Sequence, residues 1–180
     1  MRIAYYPGCT LKTNAKNFED SAIASAKELG IEMVEPDRWN CCGTVHALVK
    51  DDVMHHLAPV RNLIRVEELK EADKVDSKQV VTLCAMCYNT LKRSNQTFNE
   101  DADKKQKIHD VMYKEDIKYS GNVEVLHYLE VLREIGWDKV KEAVKKPLDG
   151  LKIAPYYGCL LLRPRGIGID NADNPTIIED

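Results

Sequence analysis

The chain reads as an α/β protein, a mostly parallel sheet flanked by helices. Three observations predict this. β-type runs at 2–6, 31–34 and 80–83 alternate with helical stretches, the pattern of a parallel sheet with crossover helices. Two of the three cysteine-bearing segments, those of Cys9 and Cys84, directly follow such runs, at the carboxyl edge where these folds place ligands. The opening Ile3-Ala4-Tyr5-Tyr6-Pro7-Gly8-Cys9 returns as Ile153-Ala154-Pro155-Tyr156-Tyr157-Gly158-Cys159. We therefore expect one complete domain over 1–147 and the beginning of a second, similar domain over 148–180.

Arg2 to Tyr6 forms the first strand, and Pro7-Gly8 ends it, leaving Cys9 in a loop. Asn14 is the expected cap of a helix reaching Leu29, with Phe18, Ala22, Ile23, Ala26 and Leu29 on one face and Gly30 as its stop. Ile31 to Val34 is a second strand, after which Pro36 opens the loop carrying Cys41-Cys42-Gly43. A helical stretch over 53–72 contains Pro59, which is expected to break or kink it. Val80 to Leu83 is a buried-type strand, and Cys84 and Cys87 open a helix that includes Tyr88, Leu91 and Lys92. The charged stretch 95–122 reads as a solvated helix plus loop. An amphipathic helix is expected over 123–135 and a short one over 137–145, ended by Pro147. Leu151 to Tyr156 restarts the strand pattern, which sets the boundary near Pro147-Leu148-Asp149-Gly150.

At 180 residues and 44% hydrophobic composition, the chain can bury an ordinary core without disulfide staples. A net charge of −3 leaves no electrostatic footprint for nucleic acid. No apolar run approaches the roughly 20 residues that cross a bilayer, and the N-terminus has no signal-peptide apolar region. The expected location is the cytoplasm, where thiols stay reduced and clustered cysteines serve as metal ligands or redox groups. No G-x-G-x-x-G is present for a flavin or a dinucleotide.

Five of the six cysteines form the pattern C-x31-C-C-x41-C-x2-C: Cys9, Cys41, Cys42, Cys84 and Cys87. A lone C-x2-C is half a zinc knuckle or a dithiol pair, and buried free cysteines are common. A structural zinc site takes four ligands, usually as two spaced pairs. Five thiols with two adjacent suit an iron–sulfur centre better, since thiolates are its usual anchors. Zinc and purely structural thiols remain the alternatives. Gly8 and Gly43 would let the backbone approach a bulky inorganic centre, or are simply turn glycines.

Tyr-Tyr-Pro-Gly-Cys, Cys-Cys-Gly and Cys-x-x-Cys, in this order, resemble the cysteine-rich "CCG" domain. The wider set resembles the B subunit of methanogen heterodisulfide reductase: Asn40-Cys41-Cys42-Gly43, Leu83-Cys84-Ala85-Met86-Cys87 and Tyr157-Gly158-Cys159-Leu160-Leu161-Leu162-Arg163-Pro164. The resemblance implies two similar domains, each holding a non-cubane [4Fe–4S] cluster, with the heterodisulfide of coenzyme M and coenzyme B cleaved between them during methanogenesis. It implies Cys9, Cys41, Cys42, Cys84 and Cys87 as ligands of the first cluster and Cys159 as the first ligand of the second. It implies the iron–sulfur C subunit and the flavin-carrying A subunit of heterodisulfide reductase as partners. The gap before Cys84 is slightly longer than the family's, as an insertion before Val80 would explain. The second motif's Cys-Cys pair would fall beyond residue 180, so a truncated chain is expected, one that binds a cluster and turns over poorly.

Other residues carry weaker expectations. His46 is a candidate proton donor or a helix-end residue, His55 and His56 are expected on a helix surface, and His109 and His127 are given no role. Arg163 and Arg165 either hold anionic coenzymes or face solvent. Tyr5, Tyr6, Tyr156 and Tyr157 are expected to pack at strand ends around a cluster. The competing functions are a CCG component of another oxidoreductase, of succinate or lactate type, and a non-catalytic zinc or scaffold module.

Overall fold

The computed structural model describes residues 1–44 and 53–180. Among them, β1 (Arg2–Tyr5), β2 (Glu32–Val34), β3 (Gln79–Thr82) and β4 (Glu124–His127) form one all-parallel sheet in the order β2-β1-β3-β4. Ala4 pairs with Val34 on one side and Val80 on the other, and Val80 pairs with Val125. The chain steps outward from β1 to β2 and then returns across β1 to lay down β3. The carboxyl ends of β1 and β3 therefore flank the switch point, where open α/β sheets leave a crevice.

Helices cover both faces, so the strands read as continuous apolar runs. Ala4, Val80 and Val125 face α3 (Val53–Glu71), α4 (Ala85–Glu100) and α5 (Ala102–Val111), packing with Val60, Leu63, Tyr88, Leu91 and Ile108. Ile3, Tyr5, Val81 and Leu126, the alternate residues, face α2 (Lys16–Glu28) and α6 (Tyr128–Ile135) through Ala22, Ala26 and Val131. This period of two is the strand's own geometry. The other helical elements are α1 (Gly8–Leu11), α7 (Trp137–Glu142) and α8 (Cys159–Leu162). No helix among the described residues is long and apolar enough to cross a membrane.

Several expectations are corrected. Cys9 lies in the helical turn α1, not in a loop. Asn14 does not cap α2, which starts at Lys16 with Ala15 at its N-cap and no side-chain cap. The buried stripe of α2 runs through Glu19, Ala22 and Ala26, leaving Phe18 and Ile23 largely exposed. Glu19 can point inward because the Tyr5 hydroxyl donates to it at 3.1 Å and the Lys12 ammonium pairs with it at 2.8 Å. Pro59 does not end α3; its missing N–H costs one helical bond, which the buried run Val60, Leu63 and Ile64 offsets.

The stretch 123–135 is not one helix. Glu124–His127 is β4, and α6 begins only after His127 caps it. The charged stretch 95–122 is more than solvated surface, since Phe98, Ile108, Met112 and Tyr119 enter the core. His56 is buried, its Nδ1 lying 3.1 Å from the Ser94 hydroxyl, whereas His55 is exposed. His46 lies outside the described residues. Residues 151–156 form no strand and stay exposed. A strand needs a neighbour's amides and carbonyls, and among the described residues no strand pairs with this stretch.

Candidate metal centre

The three cysteine segments meet at the switch point. Gly8 follows the end of β1 with φ +72°, and a Cβ placed on it would stand 2.8 Å from the Cys87 sulfur. Only glycine lets the Cys9 turn pass this close to α4. Cys84 is the N-cap of α4 and Cys87 lies in its first turn. The Cys42 sulfur reaches to 3.5 Å from that of Cys87, and both are buried. Cys9 and Cys41 are exposed, close enough for their charges to act on one another. Tyr6 stands among these groups: burial first, then the charges of Cys42, Cys87, Cys41 and Cys9, push its hydroxyl's pKa upward.

The thiols polarise one another. Hydrogen bonding from Cys87 lowers the pKa of Cys84 to about 6; burial opposes it, while the amides of Cys87 and Met86 assist. Helix N-termini favour thiolates in this way. Cys42 is also lowered, first by the Cys87 thiol, against burial. Cys87, hydrogen-bonded with both, is raised. At Cys41 the Gly43 amide favours the thiolate, but burial and the charges of Cys42 and Cys9 outweigh it and raise the pKa.

The residues present fit a sulfur-ligated metal cluster. The donor set is thiolate, the soft ligand of iron–sulfur and zinc sites. Gly8 leaves a cradle that a Cβ would fill. Among the described residues the buried Thr82 hydroxyl has no hydrogen-bond partner. Thr90 lies beside Cys42, where its hydroxyl favours the thiolate. Among the described residues no three His, Cys, Asp or Glu groups converge on a single metal-sized point.

Cys159 takes no part in the Cys42–Cys87–Cys84 contacts. It opens α8 and is exposed. Its turn is nevertheless seated on the helix that carries Cys84 and Cys87. The Asn89 side-chain amide donates to the carbonyls of Leu160 at 2.8 Å and Arg163 at 2.5 Å, and the Tyr88 hydroxyl donates to that of Ile167 at 2.7 Å. Arg163 and Arg165 are solvent-exposed and both pair with Asp173. Tyr5 and Tyr6 pack as expected, but Tyr156 is exposed and Tyr157 hydrogen-bonds Glu179.

Sequence reasoning missed several residues around these thiols. Thr90 lies one helical turn past Cys87, a spacing that could have flagged it. Asn62 interrupts the apolar face of α3, and its partner is the loop before Cys41. His127 is buried, donates Nε2–H to the Leu83 carbonyl at 3.1 Å and accepts at Nδ1 from the Leu129 amide at 3.3 Å. Burial lowers its pKa to about 4, despite the bond to Leu83. It thus fixes the backbone immediately before Cys84.

Comparison with known proteins agrees with this arrangement. The 8-methylmenaquinol:fumarate reductase membrane anchor subunit of Wolinella succinogenes is 34% identical over 98% of this chain and 59% of its own. A protein of Archaeoglobus profundus, named as like the B subunit of heterodisulfide reductase, is 24% identical over 97% of this chain and 57% of its own. The B subunit of the ferredoxin/F420H2-dependent CoB-CoM heterodisulfide reductase of Methanosarcina acetivorans is 26% identical over 91% and 52%. The chain thus spans a little over half the length of these relatives. The profile of the cysteine-rich domain, CCG, matches residues 3–92, the stretch that contributes β1 to β3 and all five gathered cysteines. By that match, the chain belongs to the cysteine-rich CCG domain family.

Proposed function

We propose that the chain is an iron–sulfur redox subunit. Cys9, Cys41, Cys42, Cys84 and Cys87 hold a non-cubane [4Fe–4S] cluster, and Cys159 is the first ligand of a second site. The observation that carries this reading is the meeting of three distant segments at one point: Cys42 against Cys87, Cys84 capping the same helix, and Gly8 admitting the Cys9 turn. Five thiols exceed what one tetrahedral zinc takes. Residues 148–180 open a second domain of the same kind, as the repeat of 3–9 at 153–159 supports.

When bound, the cluster supplies one-electron transfer and a metal that accepts a sulfur ligand. The chain's own residues prepare the ligands and shield them. The Cys84 and Cys42 thiolates are favoured by the Cys87 thiol, by the first amides of α4 and by the Thr90 hydroxyl. The buried Tyr6 ring, edge-on to Trp39 at 5.8 Å, keeps water from the inner thiols.

For the reaction, we propose reduction of the heterodisulfide of coenzyme M and coenzyme B in methanogenesis. Two electrons and two protons convert one S–S bond to two thiols. The protein works in the cytoplasm with the iron–sulfur C subunit and the flavin-carrying A subunit of heterodisulfide reductase. The heterodisulfide reductase relatives support this. The 34% identity to the Wolinella protein favours a second reading, electron transfer in a fumarate reductase-type complex. In the assembled complex, oxidation of a reduced donor by the heterodisulfide but not by fumarate selects the first reading, and the reverse selects the second. Activity with neither, in a complex that holds iron and sulfide, overturns both.

A further inference from the structure

The Cys41-Cys42 pair lies in irregular chain after β2, yet Cys42 is buried and held against Cys87. Among the described residues no strand pairing fixes that loop. A buried side chain of α3 takes its place. Asn62 accepts from the Asn40 N–H at 2.9 Å through Oδ1 and donates to the Asn40 carbonyl at 2.9 Å through Nδ2. It thereby mimics the two-point pairing of a neighbouring strand. The Tyr6 hydroxyl donates to the same carbonyl at 2.8 Å, and the Asn40 amide donates to Ala58, one turn before Asn62, at 3.2 Å. Asn62 is itself buried, so its polar atoms have no water to fall back on.

We propose that Asn62 is the positioning residue of the centre: it registers the Cys41-Cys42 loop against α3, and α3, packed on α4, thereby sets Cys42 against Cys87. This rests on the reading of these thiols as cluster ligands. Tyr6 is the auxiliary hold on the same carbonyl. Asn62→Asp keeps the acceptor for the Asn40 N–H but turns a carboxylate oxygen toward the Asn40 carbonyl, so it fails as Ala does.

The test is per-cysteine alkylation by iodoacetamide of the reduced, metal-free chain, read by peptide mass spectrometry, with circular dichroism to establish folding. In Asn62→Ala and Asn62→Asp we expect Cys42 to label about tenfold faster or more, as two lost hydrogen bonds imply, while Cys87, which Cys42 covers, rises less. A folded variant in which Cys42 is unchanged overturns the proposal. So does one in which Cys87 rises as much as Cys42, because that is general loosening. Should neither variant fold, Tyr6→Phe decides: a smaller rise at Cys42 alone supports the proposal, and no rise overturns it. Absence of iron and sulfide from the wild-type chain would defeat the cluster reading but leave this result standing, so the two failures are distinguishable.

Discussion

The chain writes nearly the same heptapeptide twice and folds it two ways. In the first copy Ile3 is 1% exposed and Tyr6 2%; in the second Ile153 is 71% and Tyr156 87%. The first is β1, paired on both sides; the second is no strand at all. Yet the Gly-Cys step starts a short helix in both, α1 and α8. A helical turn closes its own hydrogen bonds, so it forms wherever the local sequence allows. A parallel strand exists only where neighbours are already present. The glycines differ for the same reason: Gly8 takes a positive φ under the Cys87 sulfur, whereas Gly158 has φ −74° and nothing nearby.

Paired substitutions break or sharpen this comparison. Ile3→Ala should cost about 2–5 kcal/mol in denaturant unfolding, the usual loss for a buried isoleucine. Ile153→Ala should stay within about 0.5 kcal/mol, as exposed sites do. Equal costs would mean that the second copy is packed after all.

The first region also depends on a buried titrating group, whereas residues 148–180 contain no histidine. His127 has a folded pKa of about 4, below its ordinary 6.5. The unfolded chain therefore binds the extra proton between these values. Its stability contribution is present above pH 6.5 and is lost as pH falls toward 4, by about 3 kcal/mol. Unfolding of the metal-free chain across that range should show the loss, and His127→Gln should flatten it.

Gly8→Ala should cost about 1–3 kcal/mol from strain at positive φ and should sharply reduce iron loading. Gly158→Ala, measured alongside it, should change neither. The smallest effect is expected at Asp173→Asn, which removes the exposed pairs to Arg163 and Arg165 and should shift stability by less than about 1 kcal/mol.

What the sequence made legible follows the same division between local and non-local causes. β1, β2 and β3 were visible because short β-branched or aromatic runs are bounded by Pro-Gly, Pro36 or a cysteine turn. β4 was hidden because Val123-Glu124-Val125-Leu126 runs into α6 with no breaker, and only the vacant place beside β3 makes it a strand. That the Cys9 and Cys84 segments follow strands could be read, but the contact of Cys42 with Cys87 depends on the crossing from β2 back to β3. Asn62 could not be read at all, since its role is a pairing with backbone 22 residues away.

We propose that the first copy, with its sheet, builds a cluster site for which the second copy is not needed. The most direct measurement is iron, sulfide and zinc content of the anaerobically purified chain, with its visible spectrum, beside Cys42→Ala and Cys159→Ala. We predict about four iron and four sulfide per wild-type chain, lost in Cys42→Ala and retained in Cys159→Ala. Zinc without sulfide, or equal loss in both variants, would contradict the account.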